Sequence, residues 1–220
     1  MAFFAVIVAA GKGSRSGSPK QFIELCGHSV LWHSVQPFLR NSRIDMVRVV
    51  IAADMAETAA ACLVGLPKKV LPLSVGGRTR RESVQNGLCG MDDDDWVLVH
   101  DAARPCLSDA ALTRLLDHAS TDTVGGLLAC PMVDCLKQTD GSRTQQTLPR
   151  DDKWLAQTPQ MFRVEPLRKA LALAGEGDDE AQAMELAGHA PLLVEGETTN
   201  IKITRAEDFI LASAILAARE

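Results

Sequence analysis

The chain has 220 residues, a formal net charge of -5 and an apolar share of 46%. This is enough for one folded domain with a sizeable core. The mild acidity excludes a general nucleic-acid or membrane-surface binder, so substrate phosphates must be met by local cations rather than by a basic face. No apolar stretch is long enough to span a bilayer. Residues 2–10 are apolar, but they are few and lack a basic leader. A signal peptide is therefore not expected, and the chain reads as cytoplasmic. The six cysteines show no C-x-x-C spacing and no zinc-like pairing with histidine. They read as reduced, mostly buried thiols.

Residues 4–9 form the first expected strand, ending in small residues. Gly11, Lys12, Gly13, Ser14 and Arg15 follow, with Pro19, Lys20 and Gln21 close behind. Glycine lets backbone N–H groups approach phosphate oxygens. Arg15 and Lys20 can neutralise charge that builds on a reacting phosphate. The spacing does not fit the P-loop pattern G-x-x-x-x-G-K-[ST]. It does not fit G-x-G-x-x-G either, because position 16 is Ser and Gly17 falls one residue late. On its own the loop is equally compatible with an ordinary strand-to-helix turn.

Further along, residues 29–41 have a mixed helical face, and 47–52 are β-branched and continuous, as in a strand buried on both sides. An alanine-rich helix is expected over 55–63, a short strand over 69–73, a helix over 80–88 and a buried strand over 96–100. The acidic run at 92–95 reads as a solvated loop rather than a metal site. Ser108 is a good N-cap for a helix over 108–118, and 125–129 form another strand. This β-α-β-α order predicts a Rossmann-like three-layer α/β domain with a mostly parallel sheet. Ligands of such sheets lie at the carboxyl ends of the strands, where both the glycine loop and Asp101 fall.

Over residues 133–155 polar residues replace the core pattern, with Asp140-Gly141 as a hairpin turn. These residues are expected to form a protruding β-arm on a domain that otherwise spans residues 1–220. A lone hairpin is marginal in water. The arm is therefore expected to pack on a second copy of the chain, although a surface loop is the simpler alternative. Helices are then expected over 166–173 and 180–187, separated by an acidic turn, with short strands at 192–194 and 200–203. Residues 206–219 read as a closing amphipathic helix. Taken singly, Asp101 and Arg104 could be a loop ion pair, Ser83 a solvated helix residue, and Arg150 and Lys202 surface cations. Asp179 suits an N-cap, and His100 a satisfied strand-end histidine.

Several blocks together resemble a known family. They are Val8-Ala9-Ala10-Gly11-x-Gly13-x-Arg15 with Pro19-Lys20-Gln21, Gly76-Gly77-x-x-Arg80-x-x-Ser83-Val84, and Val99-His100-Asp101-Ala102-Ala103-Arg104-Pro105. Arg150 with Trp154, Ala156 and Thr158-Pro159-Gln160, then Asp179-Glu180-Ala181 and Asn200-Ile201-Lys202-Ile203-Thr204, complete the set. Their order over nearly the whole chain resembles the 2-C-methyl-D-erythritol 4-phosphate cytidylyltransferases of non-mevalonate isoprenoid synthesis. The resemblance implies cytidylyl transfer from CTP to methylerythritol phosphate, with release of pyrophosphate, Mg2+ as cofactor and a homodimer. It implies Arg15, Lys20, Arg150 and Lys202 as catalytic cations. Ala9, Ala10, Gly11, Gly77, Ser83, Asp101 and Ala102 are implied at the nucleotide, with Asp101 also at the metal. Arg104, Cys135, Arg150, Thr158 and Lys202 are implied at the methylerythritol phosphate.

The chain departs from that family's pattern at four places. Val8 stands where proline is frequent, Ser16 replaces a methionine, and the span from Arg15 to Lys20 is shorter. Cys135 replaces a threonine, and a thiol is the poorer hydrogen-bond donor. Transfer to ribitol 5-phosphate is the alternative enzyme reading. A silent nucleotide-binding subunit is the alternative outside catalysis, but it has no need of four cationic and acidic site residues.

Overall fold

A computed structural model describes residues 1–11, 19–175 and 177–219. Arg15 and the rest of the loop at 12–18 lie outside the described residues. The chain opens with β1 (Phe3–Val8) and, after a 3-10 turn at Lys20–Phe22, forms a small ribbon of β2 (Glu24–Leu25) and β3 (His28–Ser29). Next come α1 (Val30–Arg40), β4 (Met46–Val50), α2 (Ala56–Cys62), β5 (Val70–Leu73), α3 (Arg80–Gly87) and β6 (Trp96–Asp101). The second half holds α4 (Asp109–Ala119), β7 (Gly125–Pro131), β8 (Leu136–Asp140), β9 (Arg143–Leu148) and β10 (Trp154–Arg163). It ends with α5 (Val164–Leu173), α6 (Glu180–Leu186), β11 (Leu192–Glu195) and α7 (Glu207–Ala217).

Seven strands form one sheet in the order β11-β7-β10-β6-β1-β4-β5. Only β10 runs antiparallel to its neighbours β6 and β7; the other ladders are parallel. The period of two along each strand sorts side chains to two faces. Ala5, Ile7, Trp96 and Leu98 pack with α1, α2 and α4 on one face. Val6, Val97 and Val99 pack with α3, α5 and α6 on the other. Three layers result, as expected. Four helices begin at side-chain caps that accept a backbone N–H: Ser29 from Trp32, Thr79 from Glu82, Ser108 from Ala111 and Asp179 from Gln182. No helix among the described residues is long and apolar enough to cross a membrane.

The structure corrects several expectations. Residues 154–163 form a full strand inside the sheet, so the arm ends earlier than 155 and consists of β8 and β9 alone. The hairpin turn at Gly141 has φ +59°, a conformation suited to glycine. Residues 200–203 are not a strand. They are held by backbone bonds from Ile203 N–H to the Ala103 carbonyl at 2.8 Å and from Asn200 N–H to the Glu197 carbonyl at 3.0 Å, while the Asn200 side chain bonds the Thr158 carbonyl at 2.9 Å. The closing helix is not amphipathic: Ala212 is buried with Leu25, Val30 and Ile203, but Ile210 and Leu211 are 73% and 55% exposed. The cysteines are free, yet Cys26, Cys89 and Cys135 are exposed and only Cys106 and Cys130 are buried. In the acidic run Asp95 is buried, because its carboxylate accepts the backbone N–H groups of Ala2 at 2.6 Å and Asp92 at 3.1 Å.

Candidate active site

Strands β1 and β6 end side by side, with Val8 opposite Asp101 and Ala102 N–H bonded to the Val8 carbonyl at 3.2 Å. A cleft of about 490 Å3 opens at these carboxyl ends, lined among others by Ala10, Gly11, Gly77, Ser83, Asp101 and Lys202. Ala9 and Ala102 are part of the same lining. The wall is built by close approach. A Cβ on Gly76 would lie 2.6 Å from the Ala10 Cβ and 2.9 Å from the Ile51 carbonyl oxygen. A Cβ on Gly77 would lie 2.4 Å from Glu82 Cγ. Gln21 straps the first loop by donating to the Ala9 carbonyl at 2.9 Å and the Gly11 carbonyl at 2.8 Å. No role was expected for Gln21; the signal was its place directly after Pro19-Lys20.

Ser83 is almost fully buried. Its hydroxyl donates to the Thr79 carbonyl at 2.9 Å and accepts from Gly77 N–H at 3.0 Å. With its one proton committed, the oxygen offers only a lone pair to a ligand. The solvated alternative for Ser83 is thereby removed.

Asp101 sits at the centre of the charged part of the cleft. Its Oδ1 accepts from Arg80 Nε at 3.1 Å, and its Oδ2 lies 2.7 Å from Lys202 Nζ and 4.0 Å from Arg104 Nε. Burial alone would raise the Asp101 pKa, but Arg80, Lys202 and Arg104 hold it well below the usual carboxylate range. Burial lowers the pKa of Arg104, which anchors by donating to the Asn200 carbonyl at 2.6 Å. Asp101 and Arg104 thus form more than a loop ion pair, since Lys202 and Arg80 converge on the same carboxylate.

Thr158 belongs to a second, smaller pocket of about 200 Å3, shared with Arg80, Asp101, Arg104 and Lys202. Its hydroxyl accepts from Asp101 N–H at 3.0 Å and lies 3.1 Å from His100 Nδ1. His100 Nε2 lies 3.1 Å from the Arg104 carbonyl, which can only accept. This fixes the neutral tautomer with the proton on Nε2, so the Thr158 hydroxyl donates to Nδ1. Thr158 therefore holds the Asp101 backbone in place and has no proton left for a substrate.

Burial lowers the His100 pKa to about 4. An unfolded histidine titrates near ~6.5. The unfolded chain then binds the extra proton first, so stability from this group is complete above about 6.5 and declines as pH falls toward about 4. The size is on the order of 3 kcal/mol. Chemical unfolding of the protein and of His100→Asn across this window should show a slope in the first that the second lacks. Parallel slopes would remove this assignment.

Lys20 precedes Gln21 in the 3-10 turn, and its Nζ donates to the Thr204 carbonyl. This ties the turn to the segment that carries Lys202. Arg150 donates to the Val133 carbonyl across the base of the arm, and Cys135 is exposed beside it. Neither lines the cleft or the smaller pocket. Within one chain, the structure thus gathers the expected nucleotide residues with Lys202, Arg104 and Thr158, while Lys20, Arg150 and Cys135 lie outside both linings. Asp179 is the N-cap expected of it, and its second oxygen accepts from Gln160 at 3.0 Å.

Comparison with known proteins agrees with this arrangement. The family model described as 2-C-methyl-D-erythritol 4-phosphate cytidylyltransferase matches residues 3–218. A protein of that name from Azoarcus sp. (strain BH72) is 46% identical over 220 residues, covering 97% of this chain and 93% of that protein. Another from Chromobacterium violaceum is 48% identical over 223 residues, covering 98% of each. A crystal structure of a 4-diphosphocytidyl-2C-methyl-D-erythritol synthase superimposes with a TM-score of 0.89 at 36% identity, covering 98% of both chains. The chain belongs to the 2-C-methyl-D-erythritol 4-phosphate cytidylyltransferase family.

Proposed function

We propose that this chain transfers the cytidylyl group of CTP to the phosphate of 2-C-methyl-D-erythritol 4-phosphate. The products are 4-diphosphocytidyl-2-C-methyl-D-erythritol and pyrophosphate, in non-mevalonate isoprenoid biosynthesis. The observation that carries this reading, beside family membership, is one ionised carboxylate ringed by Arg80, Arg104 and Lys202 at the carboxyl ends of β1 and β6. Such a site is built for positioning anions rather than for proton transfer.

A phosphate monoester loses its second proton near ~6, so the nucleophile is largely dianionic at neutral pH. No general base is then needed, and neutral His100 has both nitrogens engaged. One oxygen of the methylerythritol phosphate forms a bond to the α-phosphorus. The bond from that phosphorus to the bridging oxygen breaks, and its electron pair leaves with pyrophosphate. Charge builds on the α-phosphate oxygens during this exchange. Lys20 and Lys202 supply fixed positive charge there, and Arg15 is assigned the same task from the loop outside the described residues. Arg104 is assigned to the polyol phosphate.

The donor set fits Mg2+, which binds through one or two carboxylates plus substrate phosphates. Asp101 is held ionised. Among the described residues no group of three or more His, Cys, Asp or Glu could hold a metal alone. Asp101 and the phosphate oxygens of CTP would hold the ion, which when bound offsets triphosphate charge.

Ser83 is assigned to the base. Its oxygen offers only a lone pair, which suits the amino group of cytosine and not the carbonyl that uracil carries in its place. Ser83→Ala should therefore erode discrimination, narrowing the CTP-to-UTP ratio in kcat/KM by about tenfold or more. An unchanged ratio would move base recognition elsewhere.

The arm is assigned to a homodimer. Beside it Val133, Trp154 and Leu155 are 69%, 40% and 52% exposed, and an isolated two-stranded hairpin is marginal in water. A partner's site is the place where Arg150 and Cys135 would meet the methylerythritol phosphate. The test of function is pyrophosphate release from CTP and Mg2+ with methylerythritol phosphate and ribitol 5-phosphate offered separately. Release with the first alone is expected; release with the second alone would keep the nucleotide site and change the acceptor.

A further inference from the structure

Glu180 opens α6 and has no exposed surface. Its two oxygens take the two terminal nitrogens of Arg80, Nη1 at 2.6 Å and Nη2 at 2.9 Å. The third nitrogen of Arg80, Nε, is the one that reaches Asp101 Oδ1, at 3.1 Å. Every nitrogen of this guanidinium is thus committed to two carboxylates on different elements. The start of α6 is itself pinned: Gln160 of β10 accepts from Ala181 N–H at 2.7 Å and donates to Asp179 at 3.0 Å. Glu180 has no role in the mechanism above and does not line the cleft, whereas Arg80 does.

A buried carboxylate is costly unless it is paired and hydrogen-bonded. Its retention beside the cleft therefore calls for a reason. An arginine offered one carboxylate favours the two-toothed arrangement through its fork. Here Glu180 fills the fork, so only Nε is left for Asp101. Asp101 then spends one oxygen on Arg80 and keeps Oδ2 turned to Lys202, at 2.7 Å. Glu180 also offsets charge. Arg80, Arg104 and Lys202 face Asp101 and Glu180, and loss of Glu180 leaves three cations around one carboxylate.

We infer that Glu180 is a positioning residue of the reaction, which acts through Arg80 to fix the Asp101 carboxylate with Oδ1 on Arg80 and Oδ2 turned to Lys202 in the cleft. This rests on the proposed cytidylyl transfer for its kinetic part, but not for its structural part.

Two variants test it, Glu180→Gln and the double exchange Arg80→Met with Glu180→Met. Glu180→Gln should lower kcat about tenfold to a hundredfold with little change in the KM for CTP. Replacing both members of a buried pair by apolar residues is often neutral for stability. The double variant should therefore melt near the unmodified protein yet keep the low kcat, because Asp101 has lost its Nε partner. If the double variant regains full kcat, Glu180 only neutralises Arg80 and the inference falls. Full kcat in Glu180→Gln overturns it as well. A crystal structure of Glu180→Gln gives a readout that needs no turnover. The Arg80 fork is expected to turn onto both oxygens of Asp101, with Lys202 Nζ released; an unmoved Asp101 overturns the inference. Failure of the unmodified protein to release pyrophosphate would instead count against the proposed function and leave the structural readout standing.

Discussion

Alanine at Lys20 is expected to lower kcat by about 10²–10³-fold, with a melting temperature within a few degrees of the unmodified protein. The two halves of this expectation have separate causes. The reaction brings two anions together and develops charge on the α-phosphate, so removing a fixed cation costs most in the transition state. A donor removed from a preorganised anion site typically costs about 3–4 kcal/mol in activation free energy. For the fold, Lys20 contributes one exposed bond to the Thr204 carbonyl, and the core clusters do not include it. Stopped assays with saturating CTP and Mg2+, beside a thermal melt, check both halves. Near-normal turnover in a folded variant would falsify the role. Loss of activity together with loss of the melt would show that the Thr204 contact is structural.

The residues differ in how much of this was legible beforehand. β1 and the first four residues of β6 announce themselves as continuous apolar runs, because strands buried on both faces need no alternation, and β4 does so apart from Arg48, whose guanidinium donates to the Gly87 and Cys89 carbonyls. The helix starts at Ser29, Thr79, Ser108 and Asp179 carry hydroxyl or carboxylate caps, which are local signals. β10 was hidden because its first residues are polar or exposed and it carries Pro159 in mid-strand. Segment 200–203 looked like a strand because its apolar residues serve a loop that Asn200 ties to Thr158 of β10 and Ile203 ties to Ala103 just past β6. In the site, single residues said little, and the blocks had meaning only together. Glu180 and Arg80 illustrate the limit. They are 100 positions apart, and nothing local to either shows that one fork faces the other. Thr158 shows the converse, since its place beside the site was legible but the use of its hydroxyl for Asp101 and His100 required the folded geometry.

Arg150→Ala is expected to raise the KM for methylerythritol phosphate by about ten- to a hundredfold and to leave CTP binding nearly unchanged. That is the size of a lost charge-assisted contact to phosphate. In a single chain Arg150 is far from that role: it is exposed at the base of the arm, bonded to the Val133 carbonyl, and lines neither pocket. The proposed dimer resolves this by placing one subunit's arm in its partner's site. Mixing then separates the two geometries. Arg150→Ala and Lys20→Ala subunits, unfolded together and refolded in equal amounts, give mixed dimers as about half of all dimers. If Arg150 serves the partner's site, each mixed dimer has one site with both lesions and one with none. Assayed at methylerythritol phosphate well below the raised KM, where both parent preparations are nearly inactive, about a quarter of the unmodified activity should then return. If Arg150 serves its own chain, every site keeps a lesion and nothing returns. Recovery that rises with the fraction of mixed dimer supports the arm as a shared catalytic element, because a purely structural arm offers no route to complementation.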